Sequence, residues 1–105
     1  MPSIGFSVFK EKVKDGRKRQ TIRKVGKRTI RPGDTLFLYW HLRKKDCELL
    51  KIVRCLEVLK LPYQAFAWDD GMARADGFET SEELRALFRR MHKPKMGDMF
   101  YIIRW

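Results

Sequence analysis

The segment Gly16-Arg17-Lys18-Arg19-Gln20-Thr21-Ile22-Arg23 places four cations, an amide and a hydroxyl directly after a glycine turn. Guanidinium groups grip phosphate oxygens in a two-pronged fashion and an ammonium adds a point charge, so these residues could hold a phosphodiester backbone. Backbone N–H groups around Gly16 would add donors. Alternatively, Thr21 becomes a nucleophile if a nearby base takes its proton. Lys18 can be that base only if burial or the neighbouring cations Arg17, Arg19 and Arg23 depress its pKa. If the ammonium stays charged, Lys18 ligates a phosphate or a carbonyl and the site merely binds. A solvated basic loop, with Thr21 present for its strand propensity, is the third reading of the same residues.

The charge around the segment favours a polyanionic partner. Of 105 residues, 24 are Lys or Arg and 13 are Asp or Glu, a formal charge of +11. Residues 1–60 hold 17 bases and 6 acids, whereas residues 61–105 hold 7 of each. Within 10–31 there are eleven bases and two acids. A thermophile's ion-pair surface would mix both signs; a one-sided excess suits nucleic acid. Nucleic-acid contacts are therefore expected from Arg17, Lys18, Arg19, Arg23, Lys24, Lys27 and Arg28.

Other chemistries find little support. Cys47 and Cys55 lack metal-ligand spacing, and His41 and His92 are isolated, so both thiols read as small buried apolar groups and neither metal nor cofactor is expected. The start of the chain does not resemble a signal peptide, and no apolar run approaches the ~20 residues of a membrane helix. The expectation is a cytoplasmic monomer with no membrane partner.

The length allows one domain over residues 1–105, and an apolar fraction of 44% argues for a packed core. Residues 4–9 read as a strand, Phe9–Lys14 as a short helix ended by Gly16, and Pro32-Gly33-Asp34 as a turn. Residues 35–42, 49–61 and 99–105 are apolar almost throughout, as strands with two dry faces would be, which suits a small barrel with covering helices. Residues 81–92 form the clearest helix: Thr80 and Glu83 make a capping box, and Leu84, Leu87, Phe88 and Met91 form one buried stripe. Tyr63, Phe66 and Trp68 either plug one barrel end or stack a base, and large aromatics are more often core. Arg19-Gln20, bulky and polar, suggests a cleft shaped for a large or anionic ligand.

The spacing Gly16-x-Lys18-x-x-Thr21-x-Arg23 resembles the GxKxxTxR signature of ASCH domains, a branch of the PUA-like superfamily. The order of the remaining features is similar over nearly the whole chain: a first strand, a helical turn, the motif, the Arg31–Asp34 turn, a strand pair, Asp76-Gly77-Phe78, the Ser81 helix and a closing strand. The resemblance implies an α+β fold, a small PUA-like mixed β-barrel of about five to six strands with two or three flanking helices. It also implies a cleft lined by the motif and a partner that is RNA or a modified nucleoside. Members are thought to be RNA-binding modules or hydrolases; some similar proteins remove an acyl group from N4-acetylcytidine and others have been described as ribonucleases. Carried over by position, the active groups would be Lys18, Thr21 and an acid, first Asp76, with Asp70 and Glu79 as alternatives.

Overall fold

The computed structural model describes residues 3–24, 30–95 and 97–105. Gly26, Lys27 and Arg28 lie outside the described residues. Among the described residues, six strands and four helices follow one another as β1 (Ser3–Phe6), α1 (Lys10–Asp15), β2 (Gln20–Lys24), β3 (Thr35–Trp40), β4 (Glu48–Arg54), β5 (Glu57–Pro62), α2 (Tyr63–Phe66), α3 (Asp70–Ala75), α4 (Ser81–Met91) and β6 (Met99–Arg104).

The closing strand dictates the layering. Phe100 and Ile102 point to one face of β6, where they join Ile22, Tyr63, Phe66, Leu84 and Phe88 beneath the helices. Ile103 and Tyr101 point to the other face, against Ile4, Phe6, Leu36 and Leu38. The sheet β2-β6-β5 is thus a middle layer between helices α2–α4 and the sheet β1-β3-β4, while Val13 of α1 packs in the second cluster. A strand dry on both sides needs apolar residues at consecutive positions, which is why this segment shows no alternation.

Among the described residues the strands form two three-stranded sheets rather than the expected closed barrel. The break falls inside residues 49–61, at Cys55-Leu56. The Cys55 N–H bonds to Asp34 O beside the first sheet, and the next N–H, of Leu56, bonds to Arg104 O of the second, both at 2.8 Å. One peptide turns the chain from sheet to sheet. The outer face of β1-β3-β4 is also not dry: Leu49 and Ile52 are exposed. Opposite them in register stand Tyr39 and Phe37.

Three local expectations are refined. In α4 the Thr80 hydroxyl accepts from Glu83 N–H, but Glu83 reaches back to the N–H of Glu79 rather than that of Thr80. Met91 is exposed, because the stripe of Leu84 and Phe88 leaves the core before the last turn. Cys55 is buried and Cys47 exposed, so only one thiol is a core residue. Residues 70–75, with no strong periodic signal, form α3, capped by the Asp69 carboxylate accepting from Met72 N–H.

Gly77 links α3 to the rest of the fold with φ at 103°, and a Cβ there would sit 3.0 Å from the Phe9 ring. Both backbone and space forbid a side chain. Gly77→Ala should lower the unfolding free energy by more than about 1 kcal/mol in urea titration; an unchanged midpoint would contradict the contact.

Candidate functional site

The motif is brought to the acidic segment by main-chain bonds. Gly16, left-handed at φ 86°, ends α1. The Lys18 N–H then returns to Lys12 O, and the Arg19 N–H bonds to Ala75 O, each at 2.9 Å. Residues 18–19 therefore lie along the C-terminal end of α3, where Asp76 is the capping residue. The Lys18 ammonium donates to the Asp76 carbonyl at 2.6 Å and lies 3.2 Å from its carboxylate. Phe6 and Phe9 wall the ammonium at 5.5 and 5.7 Å from their ring centres. Phe9 holds this place with a left-handed backbone, secured by its edge contact with Phe78 at 4.9 Å.

Both partners are withdrawn from water: Lys18 is 3% exposed and Asp76 5%. Burial pushes the Asp76 carboxyl up to about 6, against the charge and hydrogen bond of Lys18 and the charge of Arg23. Burial also pulls the Lys18 ammonium below its ordinary value, opposed by Asp76 and aided by Arg23. The cation that presses on Lys18 is thus Arg23, two residues beyond Thr21. Its guanidinium donates to Gly5 O at 2.6 Å and lies 5.4 Å from the Phe6 ring.

Thr21 and Gln20 point to opposite faces of β2. Thr21 stands opposite Ile103 in register and is buried on the side of the core that holds Phe6. The hydrogen bonds of Lys18 go to Asp76 and not to Thr21. Gln20 faces away: its amide donates to Met72 O and its carbonyl accepts from Arg104 Nε. It ties β2 to α3 and β6 and does not shape a cleft.

The other acids are engaged elsewhere. The Asp70 carboxylate accepts from Ser81 N–H at the start of α4. Glu79 pairs with Lys12 at 3.2 Å. Of the three candidate acids, Asp76 is the one that meets the motif lysine. The basic belt is likewise partly neutralised: Lys10 and Lys14 both bind Glu48, and Arg17 binds Asp15. Arg19, Lys24 and Arg31 are exposed.

A cleft of about 450 Å³ opens at the Arg23 end of the pair. Arg23, Lys24, Arg43 and Tyr101 line it together with the apolar Ile4, Ile30, Leu42, Val58 and Ile103. Among the described residues no carboxylate lines it. Arg43 and Tyr101 were not apparent from sequence, nor were the rings around Lys18. The available signal was Gly5, a glycine inside an apolar strand, which marks a close approach. A Cβ at Gly5 would meet Leu42 at 2.8 Å. Among the described residues, no group of three or more His, Cys, Asp and Glu gathers as metal ligands would. No helix of the described residues is long and apolar enough to cross a membrane.

A middle sheet sandwiched between a second sheet and a helical layer makes this an α+β domain. More particularly, the fold is that of an ASCH domain. The crystal structure of the ASCH domain from Lactobacillus crispatus JV V101 matches 97% of this chain and 76% of that one, with a TM-score of 0.58. Sequence identity is 15%, so the likeness concerns the fold. No family model and no curated protein matches the chain.

The raised Asp76 pKa has a definite sign in stability. Between the ordinary value of 3.8 and about 6, the native carboxyl keeps a proton that the unfolded chain has released. Its contribution to stability therefore falls as pH rises through that window. Asp76→Asn removes the titration. The unfolding free energy of the wild type minus that of the variant should decline across the window and level off above it; a rise would contradict the burial-driven shift.

Proposed function

We propose that the chain is an RNA-associated domain that receives an unpaired nucleotide in the cleft at Arg23, Lys24 and Arg43. The observation that carries this reading is the lining of that cleft: the exposed cations Lys24 and Arg43 beside Arg23, an apolar wall, and the Tyr101 ring. Lys24 and Arg43 are exposed at this cleft and can meet a phosphate, and an apolar wall with an aromatic suits a splayed base. The fold and the net charge of +11 support the same partner. Lys18 and Asp76 hold the floor of the motif, while Arg17, Arg19, Lys24, Lys27 and Arg28 supply phosphate contacts around it. The domain works as a monomer.

One observation favours a second reading. Lys18 and Asp76 meet out of water, and a carboxyl near 6 is suited to proton transfer at neutral pH. In this reading Lys18, Thr21 and Asp76 hydrolyse an acylated cytidine or an RNA phosphodiester. A substrate carbonyl or phosphate would displace one of the Lys18 bonds to Asp76; a neutral Lys18 amine would take the Thr21 proton as that hydroxyl attacks, and Asp76 would protonate the leaving group. Water, deprotonated by the Asp76 carboxylate, would then cleave the Thr21 ester while Lys18 returns its proton to the Thr21 oxygen.

The two readings separate experimentally. Lys24→Ala and Arg43→Ala should each weaken retention of single-stranded RNA and flatten its salt dependence by about 0.7 in slope. Retention insensitive to salt would contradict the binding reading. Thr21→Ala should leave RNA affinity within about two-fold, a few tenths of a kcal/mol. If N4-acetylcytidine is turned over, that variant should abolish it; turnover that survives would sink the hydrolase.

A further inference from the structure

Trp68 is the feature the motif cleft does not explain. It follows α2, whose Tyr63 and Phe66 are core residues, yet 59% of its own surface is exposed. This corrects the expectation that it plugs the interior. A tryptophan is seldom left open without a partner to meet it, since its ring carries a large apolar area. Here the ring is held rather than loose. Tyr63 packs edge-on against it at 5.8 Å, and the Arg85 guanidinium lies 5.1 Å from its centre. Arg85 in turn donates to Ala67 O and to the Ser81 hydroxyl, both at 3.1 Å.

The surroundings are concave and positive. Arg85 and Arg89 are one turn apart on α4 and share a side, and Lys93 lies just past the end of the helix. With Tyr63, Trp68 and Pro94 they line a cleft of about 450 Å³, which has no carboxylate in its lining. That volume lies within the range of small-molecule sites, roughly 300–1,000 Å³. The half of the chain beyond residue 60 has no net charge, yet three of its seven cations converge on this wall. Like charges brought together repel unless an anion joins them. An indole face and adjacent guanidinium and ammonium groups match the two halves of a nucleotide, the base and the phosphate.

We propose that Trp68, Arg85, Arg89 and Lys93 form a second RNA contact that takes one unpaired nucleotide, its base stacked on Trp68 and its phosphate held by Arg89 and Lys93. This rests on the RNA-associated reading of the domain. Arg85 backs the indole and fixes its plane. A single-stranded chain is required, because a base inside a duplex has no free face to offer.

The test uses a fluorescein-labelled oligouridine of about 12 nucleotides, long enough for a single-strand site. Binding is measured over a salt series for the wild type, Trp68→Ala and the Arg89→Ala/Lys93→Ala double variant, with thermal melts to verify folding. Trp68→Ala should weaken binding about ten-fold, as loss of one stacked base does. The double variant should flatten the salt slope by about 0.7, the loss of one neutralised phosphate. Oligouridine should quench tryptophan emission in the wild type, and that quenching should be lost in Trp68→Ala. Unchanged affinity and slope in both variants would overturn the second site and leave the motif cleft standing. A wild type that does not bind oligouridine would overturn the RNA reading itself, and this site with it. Binding of uridine monophosphate without oligouridine would overturn the polymer partner.

Discussion

An ammonium removed from water must recover most of its hydration elsewhere, and Lys18 recovers it from one residue. The Asp76 carbonyl and carboxylate both serve it, and the Phe6 and Phe9 rings offer their negative faces. The rest of the site depends on this pairing. It fixes the end of α1 to the end of α3, fifty-eight residues apart in sequence. The main-chain bond from Arg19 to Ala75 and the left-handed turns at Gly16 and Gly77 exist on either side of it. A pair of this kind is weak as a source of stability, since desolvation nearly cancels the attraction, but costly to break from one side.

The same constraint sorts the cations. Lys18 is committed inward, and Arg23 stands close enough to lower the pKa of both members of the pair. Lys10, Lys12, Lys14 and Arg17 are drawn to acids from distant or neighbouring positions. The strongly basic stretch is therefore less of a uniform belt than its composition suggests. Arg23, Lys24 and Arg43 line the cleft beside the motif, and Arg85, Arg89 and Lys93 line the one beside α4, while Arg19 and Arg31 are exposed outside both.

The parts legible in the sequence were those with short-range causes. Gly16 as a helix stop, the Arg31–Asp34 turn, the capped α4 and the unbroken apolar β6 all follow from local chemistry. The resemblance to ASCH domains made Lys18, Thr21 and an acid candidates, with Asp76 first and Asp70 and Glu79 as alternatives. Long-range facts were not legible. The sheet switch at Cys55-Leu56 depends on two hydrogen bonds to separate sheets, and the exposure of Trp68, Met91 and Leu49 depends on which layer ends where. Gln20 looked like a cleft residue because its amide is polar; its partners, Met72 and Arg104, lie 52 and 84 residues away.

The claim that a single buried pair organises this site is tested most directly by a double-mutant cycle in urea unfolding with Lys18→Met and Asp76→Leu. Each single change leaves the other charge buried and alone, a loss of about 3–5 kcal/mol. The double variant removes both charges and should be far less destabilised than the sum of the singles, giving a coupling of at least about 2 kcal/mol. Additive losses within about 0.5 kcal/mol would mean that the two side chains do not depend on each other, and would contradict the account.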